Sequence, residues 1–167
     1  CVLAVTNSQG AVRDIGRSPL LAEWATESAR SAWLRDSSLQ ISGCPNSCAK
    51  QQVADIGLVG SMTVVNEERR YSYLMTVGGY LGETSGDVRL GEAVRKGITE
   101  DRVTPAVEAL VDVVWQHRQG EESFQEVVAR LGSGRLADLL NERLGPVKPE
   151  EASGVAQHET RKVELAL

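Results

Sequence analysis

The alternation of apolar and polar positions predicts strands in the middle of the chain. Apolar residues alternate with polar ones over 39–41, and a second apolar stretch covers 53–59. Residues 62–64 and 71–77 are typical of the two arms of a hairpin, with a charged turn over 66–69. The pattern therefore predicts a small sheet that contains a hairpin.

Helices are predicted on both sides of this sheet in the chain order. A short helix is expected over 2–9, and a longer one begins at Ser18, where a capping serine precedes a proline. The apolar side of this longer helix includes Trp24 and Trp33, which we interpret as core residues. A short basic helix is expected over 89–96.

The last third of the chain is predicted to be helical. Apolar residues recur at a spacing of three to four over 103–115, in a helix expected to end near Gly120. A capping box at 123–126 opens another helix, and a leucine-rich final helix stops at Gly145. Together these elements predict an α+β fold, a small mixed sheet with a hairpin packed by several helices.

Composition narrows the classes of protein to consider. The chain has 167 residues, of which 41% are hydrophobic and 25% charged, as in an ordinary globular domain. A net charge of −5 without a basic run argues against nucleic-acid binding, and no apolar run is long enough to span a membrane. We expect one domain over 1–145 and a flexible C-terminal tail over 146–167.

The three cysteines do not form the framework of a disulfide-rich protein, so a reducing, cytoplasmic location is expected. Two of them, Cys44 and Cys48, lie four positions apart, which would place both thiols on one side of a short helix. Pro45 suits the first position of such a helix, whose free N–H groups would favour thiolates. This predicts a place to hold a metal cluster.

A cluster bound only by cysteines needs four thiolates, and Cys1 supplies a third candidate. Because the chain starts with cysteine instead of methionine, we expect a fragment or a processed product whose fourth ligand precedes residue 1. Two alternatives stay open: the cysteines pack as buried reduced thiols, or they bind zinc together with His117 or His158 in a scaffold module.

Residues around the cysteine pair could support bound groups. Gly43 would let the backbone approach a cluster, while Asn46 and Ser47 offer an amide and a hydroxyl to a carboxylate or a sulfide, or simply cap a helix. Gly78 and Gly79, at the end of the hairpin, permit either a close approach by another group or a simple turn.

The stretch from Ser42 to Ala49, followed by 52–60, resembles the second half of the cluster signature of siroheme-dependent nitrite and sulfite reductases. That signature is a Cys-x5-Cys pair, a long gap, and then Cys-Pro-Asn-Ser/Gly-Cys. Cys1 with the apolar residues after it is similar to the second cysteine of the first pair. The resemblance continues through 77–82 and 98–100 and covers roughly residues 1–145, as a domain that lacks its N-terminal part.

The resemblance implies a 4Fe-4S cluster and a siroheme. Cys48 would bridge the two cofactors, and Cys1 and Cys44 would bind the cluster alone. Pro45, Asn46 and Ser47, with Gly43, would contact the cofactors, and Gly78 and Gly79 would form part of the heme pocket. No catalytic residue is expected here beyond these ligands, because the basic residues that bind the substrate anion lie earlier in the family.

The implied reaction is the six-electron reduction of nitrite to ammonia or of sulfite to sulfide. Electrons would come one at a time from a donor such as ferredoxin or a flavoprotein, through the cluster and the shared cysteine. The missing N-terminal half of the enzyme would be a partner, and this fragment alone is expected to be inactive. The competing hypothesis is the non-catalytic zinc or scaffold module.

Overall fold

The computed structural model describes residues 3–6, 33–34, 36–65, 67–82 and 87–145. Within these ranges, the strands are β1 Leu3–Thr6, β2 Leu39–Ser42, β3 Ile56–Val65, β4 Glu68–Val77, β5 Tyr80–Leu81, β6 Val88–Arg89 and β7 Glu92–Thr99. The α-helices are α1 Val103–Gln116 and α2 Phe124–Leu144, and single 3-10 turns cover Gln51–Val53 and Glu100–Arg102. The predicted α+β class is confirmed.

A mixed five-stranded sheet with the order β1-β2-β3-β4-β7 organises the molecule. The first three strands are parallel, whereas β3 and β4 form the predicted hairpin, paired from Ile56 and Val77 at its open end to Val65 and Glu68 at its tip. β7 adds to β4 in antiparallel fashion, and β5 pairs with β6 in a separate two-stranded sheet.

One face of the five-stranded sheet is buried with the two helices in a single apolar core. Because side chains alternate along a strand, this face carries every second residue of β2, β3 and β4. The strand residues in this core are Leu39, Ile41, Ile56, Leu58, Tyr73, Met75 and Val77. The opposite face carries small and polar residues, and it is there that the chain after β2 folds back.

Two predicted helices are wrong. Residues 3–6 form a strand, because this short apolar run pairs in parallel with β2, Leu3 beside Leu39. The predicted basic helix over 89–96 is also extended, and β7 pairs with β4 and buries Val94 and Ile98 in the core. Tertiary pairing decides both cases, since a run of four to eight residues has no strong helical preference of its own.

The second predicted strand begins later than expected and continues further. Residues 51–53 form a 3-10 turn, and β3 then runs unbroken from Ile56 through the first arm of the hairpin. Ser38 and Asp55 fix where β3 begins, since the Asp55 carboxylate accepts from the Ser38 amide and hydroxyl, both at 2.7 Å. The predicted turn over 66–69 is shorter, because β4 resumes at Glu68.

The helical third follows the prediction closely. α1 ends at Gln116, and the predicted capping box is present, since the Ser123 hydroxyl accepts from the Glu126 amide and the Glu126 carboxylate accepts from the Ser123 amide. α2 contains a kink at Gly132, with φ 76°, so the two predicted helices follow each other there. No helix in the described part of the chain is long and apolar enough to cross a membrane.

Trp33 is helical and packs on this helical layer, with its ring centroid 5.1 Å from that of Trp115 and 5.7 Å from that of Phe124. Its assignment to the core is consistent with this packing. The rest of the helix predicted from Ser18, including Trp24, lies outside the described residues, as do Cys1, His158 and the predicted tail over 146–167.

Candidate metal centre

The cysteines Cys44 and Cys48 lie in a segment, residues 43–55, that connects β2 to β3; we call it the cysteine segment. The helix predicted from Pro45 is wrong, because residues 43–50 form successive turns. The Ser47 amide donates to the Cys44 carbonyl at 3.4 Å, and the Lys50 amide donates to the Ser47 carbonyl at 2.8 Å. Ser47 and Lys50 are left-handed, with φ of 56° and 54°, which prevents the turns from continuing as a helix.

Glycines let the cysteine segment lie directly against the backbone of the sheet. A Cβ on Gly60 would come within 2.2 Å of the Gly43 carbonyl oxygen, and one on Gly57 would come equally close to that of Gln51. Gly79 plays the same part further along, where a Cβ would meet the Ala54 carbonyl oxygen at 2.5 Å. The position of the segment therefore depends on hydrogen atoms standing where side chains would be.

Side chains from β2 then fix the turns. Ser42, which is buried, accepts from the Ala49 amide at 3.1 Å and donates to Gln51 Oε1 at 2.5 Å. The amide of Gln51 donates in turn to the Ser47 hydroxyl at 2.8 Å, and that hydroxyl donates to the Pro45 carbonyl at 3.2 Å. A chain of hydrogen bonds thus runs from the sheet to the peptide between the two cysteines.

The two thiols differ in exposure. Cys48 is exposed and Cys44 is half-buried, and neither is in a disulfide. Pro45 and Asn46 are exposed beside them, while Gly43 and Ser47 are half-buried. Such a pair, held on a fixed turn and open on one side, can bind a soft metal ion or part of a cluster.

Within the described ranges, no three Cys, His, Asp or Glu side chains come together as a metal site. His117 lies at the C-terminal end of α1, where its Nδ1 is 2.8 Å from the Val113 carbonyl oxygen, so its ring is engaged in the helical layer. The zinc alternative therefore gains no support from His117.

Gly78 and Gly79 have different surroundings. Gly78, with φ 76°, donates its amide to the Asp55 carbonyl at 3.1 Å and accepts from Arg89 Nε at 2.8 Å. It lines a cleft of about 220 Å³ between the sheet and α2, with Val128 and Gly132 opposite. Gly79 instead packs beneath the end of the cysteine segment, so only Gly78 borders open space.

The residues that hold the cysteine segment were not identified from the sequence. Ser42 and Gln51 are buried and polar, and Asp55 joins the end of the segment to Ser38. Gln40 belongs with them, since its amide nitrogen, placed toward the segment, donates to the carbonyls of Ala49 and Lys50. The available signal was the polar half of the alternation over 39–42, which marks the face that the segment covers.

Comparison with known proteins relates the chain to one family of enzymes. A family described as "Nitrite and sulphite reductase 4Fe-4S domain" matches residues 4–148. The sulfite reductase (NADPH) hemoprotein beta-component of Methylorubrum extorquens is 31% identical over 155 residues, 89% of this chain. The chloroplastic ferredoxin–nitrite reductase of Pinus sylvestris is 39% identical over 70 residues, 41% of this chain and 64% of that sequence.

Among solved structures, the NirA protein of Mycobacterium tuberculosis matches with a TM-score of 0.62 and 25% identity over 78% of this chain. The chain corresponds to only part of these proteins: 23% of NirA, 22% of the Methylorubrum protein and 15% of a sulfite reductase hemoprotein from Myxococcus xanthus. The cofactors implied by the sequence, a 4Fe-4S cluster and siroheme, are those of this family.

Proposed function

Because the chain belongs to the nitrite and sulphite reductase 4Fe-4S domain family, we propose that it is the part of a siroheme-dependent reductase that binds the cluster and the heme. The reaction of the whole enzyme is the six-electron reduction of nitrite to ammonia or of sulfite to sulfide. The observation that carries this proposal is the cysteine segment, in which two accessible thiols are held on a turn fixed to the sheet.

Cys44 and Cys48 are the proposed cluster ligands, with Cys48 also ligating the siroheme iron. Their exposure supports this division, since the exposed Cys48 can face two groups while the half-buried Cys44 faces one. When bound, the two cofactors would supply one-electron transfer and a metal site for the anion. The chain's own contribution is to keep both sulfurs on one turn, with Gly60 and Gly57 setting its distance from the sheet.

Cys1 is proposed as a third cluster ligand on the resemblance alone. β1 pairs Leu3 with Leu39, at the end of β2 away from Cys44, so this role requires β1 to leave that register when the cluster assembles. A fourth cysteine would come from outside this sequence.

The neighbouring residues have supporting roles in this proposal. Asn46 is exposed beside the thiols and offers its amide to a cofactor carboxylate or a cluster sulfide. The Ser47 hydroxyl already bonds within the turn, so Ser47, like Pro45 and Gly43, contributes through the backbone. Gly78 is proposed to border the heme through the cleft beside Arg89, and Gly79 to support it from beneath the segment.

The remaining expectations are proposals of the same kind. The electron donor is a ferredoxin or a flavoprotein, the substrate is a small inorganic anion, and the location is cytoplasmic. The domain is proposed to end near Gly145, where Arg95 donates to the Gly145 carbonyl at 3.0 Å and closes the end of α2.

The test is to purify the natural protein that contains this sequence, without oxygen, from cells that make siroheme. We expect heme absorption bands with stoichiometric iron and acid-labile sulfide, and loss of the sulfide in Cys44→Ser and Cys48→Ser. Gln52→Leu, which changes an exposed side chain in the same segment, is the matched control and should keep both cofactors. A colourless wild-type protein, or one that holds zinc, would contradict the proposal.

A further inference from the structure

Ser47 has a backbone conformation that most residues avoid. Its φ of 56° lies in the left-handed region, which glycine enters freely and serine does not. It directly precedes Cys48, so its backbone determines where the Cys48 sulfur points. Something in the fold must therefore hold Ser47 in this conformation.

Gln51 is the side chain placed to do so. Its Nε2 donates to the Ser47 hydroxyl at 2.8 Å, and that hydroxyl donates to the Pro45 carbonyl at 3.2 Å, which ties residue 47 back across the turn. At its other end, Gln51 Oε1 accepts from Ser42 Oγ at 2.5 Å. Gln51 is 5% exposed and Ser42 1%, so water competes little for these bonds.

We propose that Gln51 is a positioning residue for the cysteine pair, which keeps Ser47 left-handed and so fixes Cys48 relative to Cys44. The functional meaning of this role rests on the proposed function, whereas the geometry can be tested without any cofactor. If Gln51 acts through the conformation of Ser47, a glycine at position 47 should make Gln51 dispensable, because glycine needs no help to adopt a φ in the left-handed region.

The test is a double-mutant cycle on the metal-free chain, with Ser47→Gly, Gln51→Leu and their combination. The measurement is the rate at which iodoacetamide alkylates the half-buried Cys44, followed in the tryptic peptide 36–50 that contains both cysteines. We expect Gln51→Leu to raise this rate about fivefold in the wild-type background, the factor expected for one neutral hydrogen bond. In the Ser47→Gly background the same substitution should change it by less than about twofold.

Two further variants complete the design. Ser47→Ala removes the hydroxyl but keeps the strained backbone, and it changes a half-buried residue, so it should fold and match Gln51→Leu in its effect. Gln52→Leu, the exposed neighbour, should leave the rate unchanged. Equal effects of Gln51→Leu in the wild-type and Ser47→Gly backgrounds, or wild-type rates in Ser47→Ala, would overturn the proposal.

A second readout uses the holoenzyme, where the electron paramagnetic resonance spectrum and midpoint potential of the cluster report the geometry at its ligands. Gln51→Leu should shift both, and the Ser47→Gly/Gln51→Leu combination should return them toward those of Ser47→Gly alone. A shift that Ser47→Gly does not reduce would contradict the proposal. If the protein carries no cluster, the proposed function fails, but the alkylation cycle still decides the role of Gln51.

Discussion

The two faces of the five-stranded sheet are held by different kinds of contact. On the helical face, large apolar side chains such as Leu110 and Phe124 are buried between the strands and the two helices. On the opposite face, the cysteine segment lies on glycine backbone at Gly57 and Gly60 and is fixed by hydrogen bonds from Ser42. The first kind of contact supplies stability in proportion to buried area, whereas the second supplies geometry with little apolar burial.

This difference has a consequence for mutations. A change on the helical face should lower the free energy of unfolding while the arrangement of the thiols persists in the molecules that remain folded. A change beneath the cysteine segment should alter the thiols even where the loss of stability is small. The comparison can be tested by measuring both quantities, unfolding free energy and alkylation of Cys44, for each variant.

The largest loss of stability is expected from Leu110→Ala on the helical face. Leu110 is fully buried, so its truncation should cost about 2–5 kcal/mol through lost apolar contact and the cavity left behind. Urea unfolding measures the loss, and Cys44 alkylation under native conditions should stay within about twofold of wild type. A large increase in alkylation at low denaturant would mean that the two faces are coupled.

Gly60→Ala should have the opposite profile. The added methyl group would stand 2.2 Å from the Gly43 carbonyl oxygen, a backbone atom that can move only with the cysteine segment. We expect a cost of about 1–3 kcal/mol from overpacking, together with faster alkylation of Cys44 and impaired cluster binding in the holoenzyme.

Gly134→Ala is the matched control for Gly60→Ala. Position 134 lies in α2 with no atom within 4 Å of an added Cβ, so alanine there should stabilise the helix by up to about 1 kcal/mol. If both glycine substitutions left the thiols unchanged, the close approach at Gly60 would not determine the position of the segment.

The sequence predicted the order of elements better than it predicted the backbone at the candidate site. The alternation over 39–41 predicted the strand that leads to Cys44, and residues 123–126 predicted the start of α2. The turn between the cysteines was mistaken for a helix, because the left-handed conformations of Ser47 and Lys50 are not characteristic of their residue types. Its supports, Ser42 and Gln51, become visible only when the fold brings them together across the segment.

Ser123→Ala should have a smaller effect that is confined to the helical face. The Ser123 hydroxyl accepts from the Glu126 amide at 3.3 Å and donates to the Glu126 carboxylate at 2.8 Å. Losing this cap should cost about 1 kcal/mol of unfolding free energy and leave Cys44 alkylation unchanged. A loss well below this value, measured by urea unfolding, would show that packing of Phe124 alone fixes the start of α2.

The smallest effect is expected where the helical face depends on charge. The hydrogen bond from Arg130, followed by that from the Gln119 amide, lowers the pKa of Glu122 from 4.5 to about 2. A carboxylate whose pKa is lower in the folded state stabilises the fold above its unfolded value, and this contribution disappears as the pH falls through about 2. The hydrogen bonds that link Ser42, Gln51 and Ser47 use neutral groups and should not share this dependence.

Glu122→Gln therefore offers a pH test of the comparison. The wild type should be more stable than the variant at pH 7, and the difference in unfolding free energy should shrink between pH 4.5 and pH 2. The control is Glu121→Gln, which removes an exposed neighbouring carboxylate but leaves the Glu122–Arg130 contact in place. If the difference between wild type and Glu122→Gln stayed constant down to pH 2, the ion pair would not stabilise the turn between α1 and α2. The helical face would then be held by neutral contacts, as the cysteine segment is.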